Sequence, residues 1–150
     1  MPSKFFFVII LILLAGATQS KAEPFANGKL TVTVSGIKSS AGGTLRIALF
    51  RGENGWPKFK NAWQTKELPP TAETLKIVFS NLTYADNYAI EIHHDENGNG
   101  KFDMRWLPYP RPKEGVGVSN NTFGFGHPDF TDARFTLDNP EQQINIEMNY

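Results

Sequence analysis

The sequence predicts an all-β protein: a single antiparallel β-sandwich of Greek-key type with a long ordered loop. Three observations predict it. Six or seven short segments alternate apolar and polar residues, the period of a strand with one buried face. Gly, Pro, Asn, Asp and Ser punctuate them at short intervals. No long helical period competes. Strands of this kind bury their apolar faces by stacking in two layers, and a small barrel is the alternative.

The 150-residue chain opens Met1-Pro2-Ser3-Lys4 and then runs without a charge from Phe5 to Ala15. One positive charge, a short apolar core and the small residues Ala15, Gly16, Ala17, Ser20 and Ala22 are the layout of a secretory signal peptide. The apolar run is short for a membrane span. Ser20-Lys21-Ala22 places cleavage after Ala22, with Ala17 and Ser20 as other cut sites and an uncleaved anchor as the alternative. Residues 23–150 then form one domain with no stable membrane span, periplasmic or secreted. The chain has no cysteine, so disulfides cannot brace it in an oxidising compartment. It carries 15 basic and 15 acidic residues. Losing Lys4 and Lys21 leaves the mature balance at −2, and no basic excess exists to neutralise nucleic-acid phosphates.

Residues 23–28 read as a leader. Leu30-Thr31-Val32-Thr33-Val34 is the first strand. Gly36 and Ser39-Ser40-Ala41-Gly42-Gly43 turn the chain, and Leu45, Ile47 and Leu49 mark the second strand, expected to pair with the first as a hairpin. Residues 51–70 are expected to be irregular, because Gly52, Gly55, Pro57, Pro69 and Pro70 oppose regular structure. One helical turn through Phe59-Lys60-Asn61-Ala62-Trp63 fits there, with Trp56, Phe59 and Trp63 as a flap packed over the sandwich edge. Thr74 to Phe79 is the third strand, Asn81 to Asp86 a turn, and Asn87 to His93 the fourth strand. On the fourth, Tyr88, Ile90 and Ile92 face one way and Ala89, Glu91 and His93 the other. Met104 to Asp132 reads as a long loop whose Trp106, Tyr109, Phe123, Phe125 and Phe130 argue for order. Ala133 to Leu137 and Gln143 to Met148 are the last strands.

The most chemically specific stretch is His94 to Asp103. From Asp95 it reads D-x-N-x-N-G-x-x-D, the opening of a calcium-loop pattern. Asp95, Asn97 and Asn99 offer side-chain oxygens, Gly100 stands at the sharp bend, the Lys101 carbonyl faces the ion, and Asp103 adds a further oxygen. The twelfth position is Trp106 rather than glutamate, so Glu114, Asp129 or Asp132 would have to complete the shell. The all-oxygen set selects calcium, with weak affinity on the order of 10⁻⁴ to 10⁻³ M. The competing reading is a tight turn, since Asn and Gly tolerate positive φ.

Three segments carry a family resemblance. They are Leu30 to Phe50, ending Ala48-Leu49-Phe50; Tyr88-Ala89-Ile90 through His94 to Asp103; and Pro112 to Asn121 followed by Gly126-His127-Pro128 and Phe130-Thr131-Asp132-Ala133. On these the chain resembles the bacterial exported family called domain of unknown function 2141. The resemblance implies a periplasmic or secreted β-sandwich and no established activity; the sandwich expected here is of immunoglobulin- or transthyretin-like kind.

The residues favour a binding or accessory module over an enzyme. Its partner would be an envelope protein or a glycan, engaged through the aromatic long loop. The alternative is a small periplasmic hydrolase or metalloenzyme centred on His94, Asp95, Glu114 and His127. A zinc or copper site between His94 and His127 would lack a clear third ligand. Ser119 with His94 or His127 has no nucleophile-elbow motif to support it. Glu91 with Glu114 is the one carboxylate pair offered for sugar hydrolysis.

Overall fold

The computed structural model describes residues 26–124 and 126–150. The expected signal peptide over residues 1–22, and Phe125, lie outside the described residues. The strands are β1 (Ala26–Ser35), β2 (Thr44–Arg51), β3 (Gln64–Leu68), β4 (Leu75–Thr83), β5 (Asn87–Asp95), β6 (Met104–Arg105), β7 (Arg111–Pro112), β8 (Gly115–Val118), β9 (Phe135–Thr136) and β10 (Glu141–Glu147). One sheet has the order β10-β1-β4; the other has β3-β2-β5-β8, with β9 also on β5; β6 and β7 form a ribbon of their own. The fold is the expected β-rich, sandwich-like one, and neither sheet closes into a barrel.

Alternation decides the faces. Leu30, Val32 and Val34 of β1, Leu45, Ile47 and Leu49 of β2, Ile77 and Phe79 of β4, and Tyr88, Ile90 and Ile92 of β5 meet in one buried cluster. Burying one such side chain contributes about 1.5–3 kcal/mol, so this layer is the main source of stability. β5 is unusual in being covered on both faces. Ala89, from its other face, joins Val118, Phe130 and Ala133 in a second buried cluster, with Trp56 packed against it. The polar residues that share this outer face, Glu91 and His93, are thereby held under cover from both earlier and later sequence.

Several expectations need correction. β1 and β2 are not a hairpin: they belong to opposite sheets, because the chain crosses the core past buried Ile37. β1 pairs instead with β4, antiparallel, and with β10, parallel, Val32 opposite Ile144. Residues 51–70 hold the expected turn at Phe59–Asn61 but also the edge strand β3, which pairs with β2 from Leu45–Leu68 to Leu49–Gln64. The third strand runs through the expected turn to Thr83, and the Ala133–Leu137 strand is only the two residues of β9. The long loop is not without regular structure. It contains β6, β7, β8 and the short helix α1 (Phe130–Ala133). Gly115 lets β8 lie close to Tyr150, since a Cβ there would fall 2.3 Å from the tyrosine ring.

Candidate functional site

The outer face of β5 carries two histidine–carboxylate pairs. Buried His93 places Nε2 2.8 Å from Oε2 of Glu114, itself 5 % exposed just before β8. One step along the face, Glu91 Oε1 lies 2.9 Å from His127 Nε2. His127 Nδ1 donates to the Pro128 carbonyl at 2.9 Å, so both ring nitrogens face acceptors. Burial pulls the His127 pKa down, but the hydrogen bond and charge of Glu91 raise it more, with help from the Pro128 carbonyl and Asp129; the net shift is upward. The pair therefore favours an imidazolium against a carboxylate. Among the described residues, no buried side-chain nitrogen or oxygen lacks a partner.

Two adjoining cavities open over these pairs. The larger, about 580 Å³, is bordered by Glu91 and Glu114 on the sheet side and by Phe102, Met104, Tyr109 and Phe123 from the covering segment. The smaller, about 410 Å³, takes Arg46, His93, Lys58 and Phe59. Glu91, Phe102 and His127 border both. The Phe102 ring leans on His93, centroids 5.2 Å apart, and Trp56 meets His127 edge-on at 5.2 Å while its indole N–H donates to the Pro128 carbonyl at 3.0 Å. A concave, mainly apolar space with a few convergent polar groups is the usual form of a small-ligand site, and both volumes fall within the ordinary range for one.

The loop from Asp95 to Asp103 forms a closed network beside this site. Asp95, 3 % exposed, accepts the N–H of Asn99 at 3.1 Å and of Gly100 at 2.8 Å. Asn97 Oδ1 accepts the N–H of Asn99, and Asn99 Oδ1 that of Lys101. Both amide Nδ2 groups donate to Asp103 Oδ2 at 2.8 Å. These bonds hold the Asp103 carboxyl below its ordinary pKa, the Asn97 bond first and the Asn99 bond next. Gly100 supplies the positive φ of 70° at the predicted bend. Its carbonyl is held by Arg46 Nη1 at 2.8 Å, which ties the loop to β2. Glu114 reaches the loop through the N–H of Asn97, at 3.3 Å, while its other oxygen stays on His93.

The donor types fit a hard cation only in part. The side chains of Asn97, Asn99 and Asp103 meet one another, while Asp95 turns to the loop's backbone N–H groups. Yet amide nitrogens, not oxygens, face Asp103, and an ion there would have to displace two hydrogen bonds. Among the described residues, no three His, Cys, Asp or Glu side chains gather at one metal-sized point. Asp129 and Asp132 lie at α1, where the Asp129 carbonyl accepts the Asp132 N–H.

The four residues named for an enzyme do not converge. Glu114 and His127 border the larger cavity, but His94 belongs to the opposite face of β5. It is fully buried, donates from Nε2 to the Gly42 carbonyl at 2.7 Å and accepts at Nδ1 from the Tyr150 hydroxyl at 2.7 Å. That geometry gives it no part in a metal site with His127. Ser119 is also fully buried; its hydroxyl accepts the Ile90 N–H at 2.9 Å and donates to the Ala133 carbonyl. Both are structural tethers. The pairing of His93 with Glu114, and the part of Phe102 in both cavities, escaped sequence reasoning. The one signal for it was that Glu91 and His93 stand on the strand face opposite Ile90 and Ile92.

A family model described as "uncharacterized protein conserved in bacteria" matches residues 32–145. This span includes β2 to β9, the loop and every cavity residue named above. No curated protein matches the chain, and no solved structure does.

Proposed function

We propose that this chain, which belongs to the bacterial family of domain of unknown function 2141, is an exported module that binds a glycan in the cleft over β5. The observation that carries the reading is the meeting of aromatic walls and carboxylates around one cavity: Phe102, Tyr109 and Phe123 face Glu91 and Glu114. Aromatic faces carry negative charge density that attracts the polarised C–H groups of a sugar ring, and carboxylates accept its hydroxyls. Export rests on the signal-type layout of residues 1–22.

The test is an amide-resolved NMR titration with soluble linear oligosaccharides of hexose and of N-acetylhexosamine. Shifts centred on Glu91, Phe102, Glu114 and His127 are expected. Shifts confined elsewhere, or none at millimolar sugar, would remove the glycan. Glu91 and Glu114 on one cavity also keep a hydrolase reading alive. Release of reducing ends from the same sugars, abolished in both Glu91→Gln and Glu114→Gln, would favour that reading over simple binding.

Calcium at residues 95–103 is the second part of this proposal. Asp95, Asn97, Asn99, Asp103 and the Lys101 carbonyl would hold it, with Glu114 bracing the loop from Asn97. It would fix one wall of the cleft by adding a ligand that only the folded state binds. Calorimetric titration of chelator-treated protein should give a dissociation constant on the order of 10⁻⁴ to 10⁻³ M, lost in Asp103→Ala. Absence of heat at millimolar calcium would leave the loop a self-closed turn.

A further inference from the structure

We propose that the β6–β7 ribbon is a docking tip for the surface of an anionic phospholipid bilayer, engaged through Trp106 and Leu107, which do not border the cleft. The ribbon shares no strand pairing with either sheet. Its turn, residues 106–110, carries the two most exposed large apolar side chains among the described residues, Leu107 at 81 % and Trp106 at 68 %. Adjacent large side chains left in water at a turn mark a site of contact.

The charge behind the tip selects the partner. Arg105 and Arg111 stand directly opposite each other in the ribbon, a like-charge pairing that weakens an isolated hairpin. No carboxylate among the described residues forms an ion pair with either. Lys101 and Lys113 are exposed nearby in sequence, and between residues 101 and 113 the only acid is Asp103. A chain whose acids and bases balance overall thus gathers four cations against one anion around its most exposed apolar turn.

An apolar tip backed by cations matches the layering of a bilayer surface. Leucine enters the acyl boundary, tryptophan prefers the interface, and basic side chains lie at the depth of anionic headgroups. A protein groove would accept the apolar tip as well, but gives no reason for arginines without a carboxylate partner on both strands behind it, one of them, Arg111, set over the Tyr109 ring.

The experiment uses the chain from Glu23 onward, which keeps every strand of both sheets and removes the apolar segment that would bind lipid by itself. Co-sedimentation is measured with phosphatidylcholine vesicles with and without phosphatidylglycerol, together with quenching of tryptophan fluorescence by brominated lipid. The wild type is expected to bind the phosphatidylglycerol vesicles at least tenfold more tightly than phosphatidylcholine alone, and more weakly as salt rises. The pair Trp106→Ser with Leu107→Ser, and the pair Arg105→Gln with Lys113→Gln, should each lower that binding about tenfold or more. All four side chains are exposed or project from the ribbon, and an unchanged melting curve confirms folding. Absence of wild-type binding, equal binding to both vesicle types, or variants that bind like the wild type would each overturn the proposal. So would loss of binding to a soluble protein or glycan in the tip variants without vesicle binding. The cleft reading stands or falls separately, because neither Trp106 nor Leu107 borders the cavities.

Discussion

Glu91 Oε1 and His127 Nε2 lie 2.9 Å apart, thirty-six residues distant in sequence, and join the middle of β5 to the segment that covers it. A histidine whose other nitrogen already donates to a carbonyl can hold this contact as a hydrogen bond only when protonated, or when the glutamate is. The raised pKa of His127 fixes the sign. Its stabilisation is fully present below the ordinary histidine value of about 6.5 and is lost as pH rises through the higher folded value. Glu91→Gln should therefore destabilise the protein at pH 5.5, by about 0.5 kcal/mol because solvent screens the half-exposed ring. The difference should shrink at pH 9. Urea unfolding at the two pH values measures it, and a larger loss at pH 9 would contradict the ion pair.

Asp103 has the opposite linkage. Its pKa is lowered by the amides of Asn97 and Asn99, so its contribution is present above the ordinary aspartate value and disappears as pH falls through the lower folded one. The side-chain amide signals of both asparagines should move together at a pH below the ordinary aspartate range. Independent titration of the two would break the shared network.

Ser119 should behave as a tether. Ser119→Ala leaves the buried Ile90 N–H without its partner, at a cost of roughly 1–3 kcal/mol. Thermal or urea unfolding reads this loss directly. A variant as stable as the wild type would mean that water replaces the hydroxyl.

His94 should matter for stability and not for the cleft. Tyr150→Phe removes the hydroxyl that donates to His94 Nδ1 and accepts the Lys38 N–H at 3.0 Å, and should cost about 1 kcal/mol. His94→Ala also empties a fully buried site and should cost roughly 2–4 kcal/mol. Neither change should alter ligand shifts at Glu91 or Phe102. Loss of those shifts in folded His94→Ala protein would return His94 to the site.

The sequence alone determined the long core strands and their buried faces. A strand's side chains alternate regardless of what it pairs with, so Leu30-Thr31-Val32-Thr33-Val34 and Tyr88 to Ile92 declared their core residues locally. The Asp95 to Asp103 bend was legible for the same reason: Asx side chains and glycine act on backbone groups two to five residues away. Only the tertiary structure decided the partners. Alternation is the same for a hairpin as for two strands facing each other across a core, so nothing local could show that β1 lies in the sheet opposite β2 and beside β10. Nor could it show β3, whose Gln64 to Leu68 has few apolar residues because it is an edge strand with polar side chains outward. The pairs Glu91–His127 and His93–Glu114 bring together residues that a folded lid, not a sequence motif, sets side by side. Buried polar groups demand partners, and which ones they find is settled by packing over distances that no short-range pattern spans.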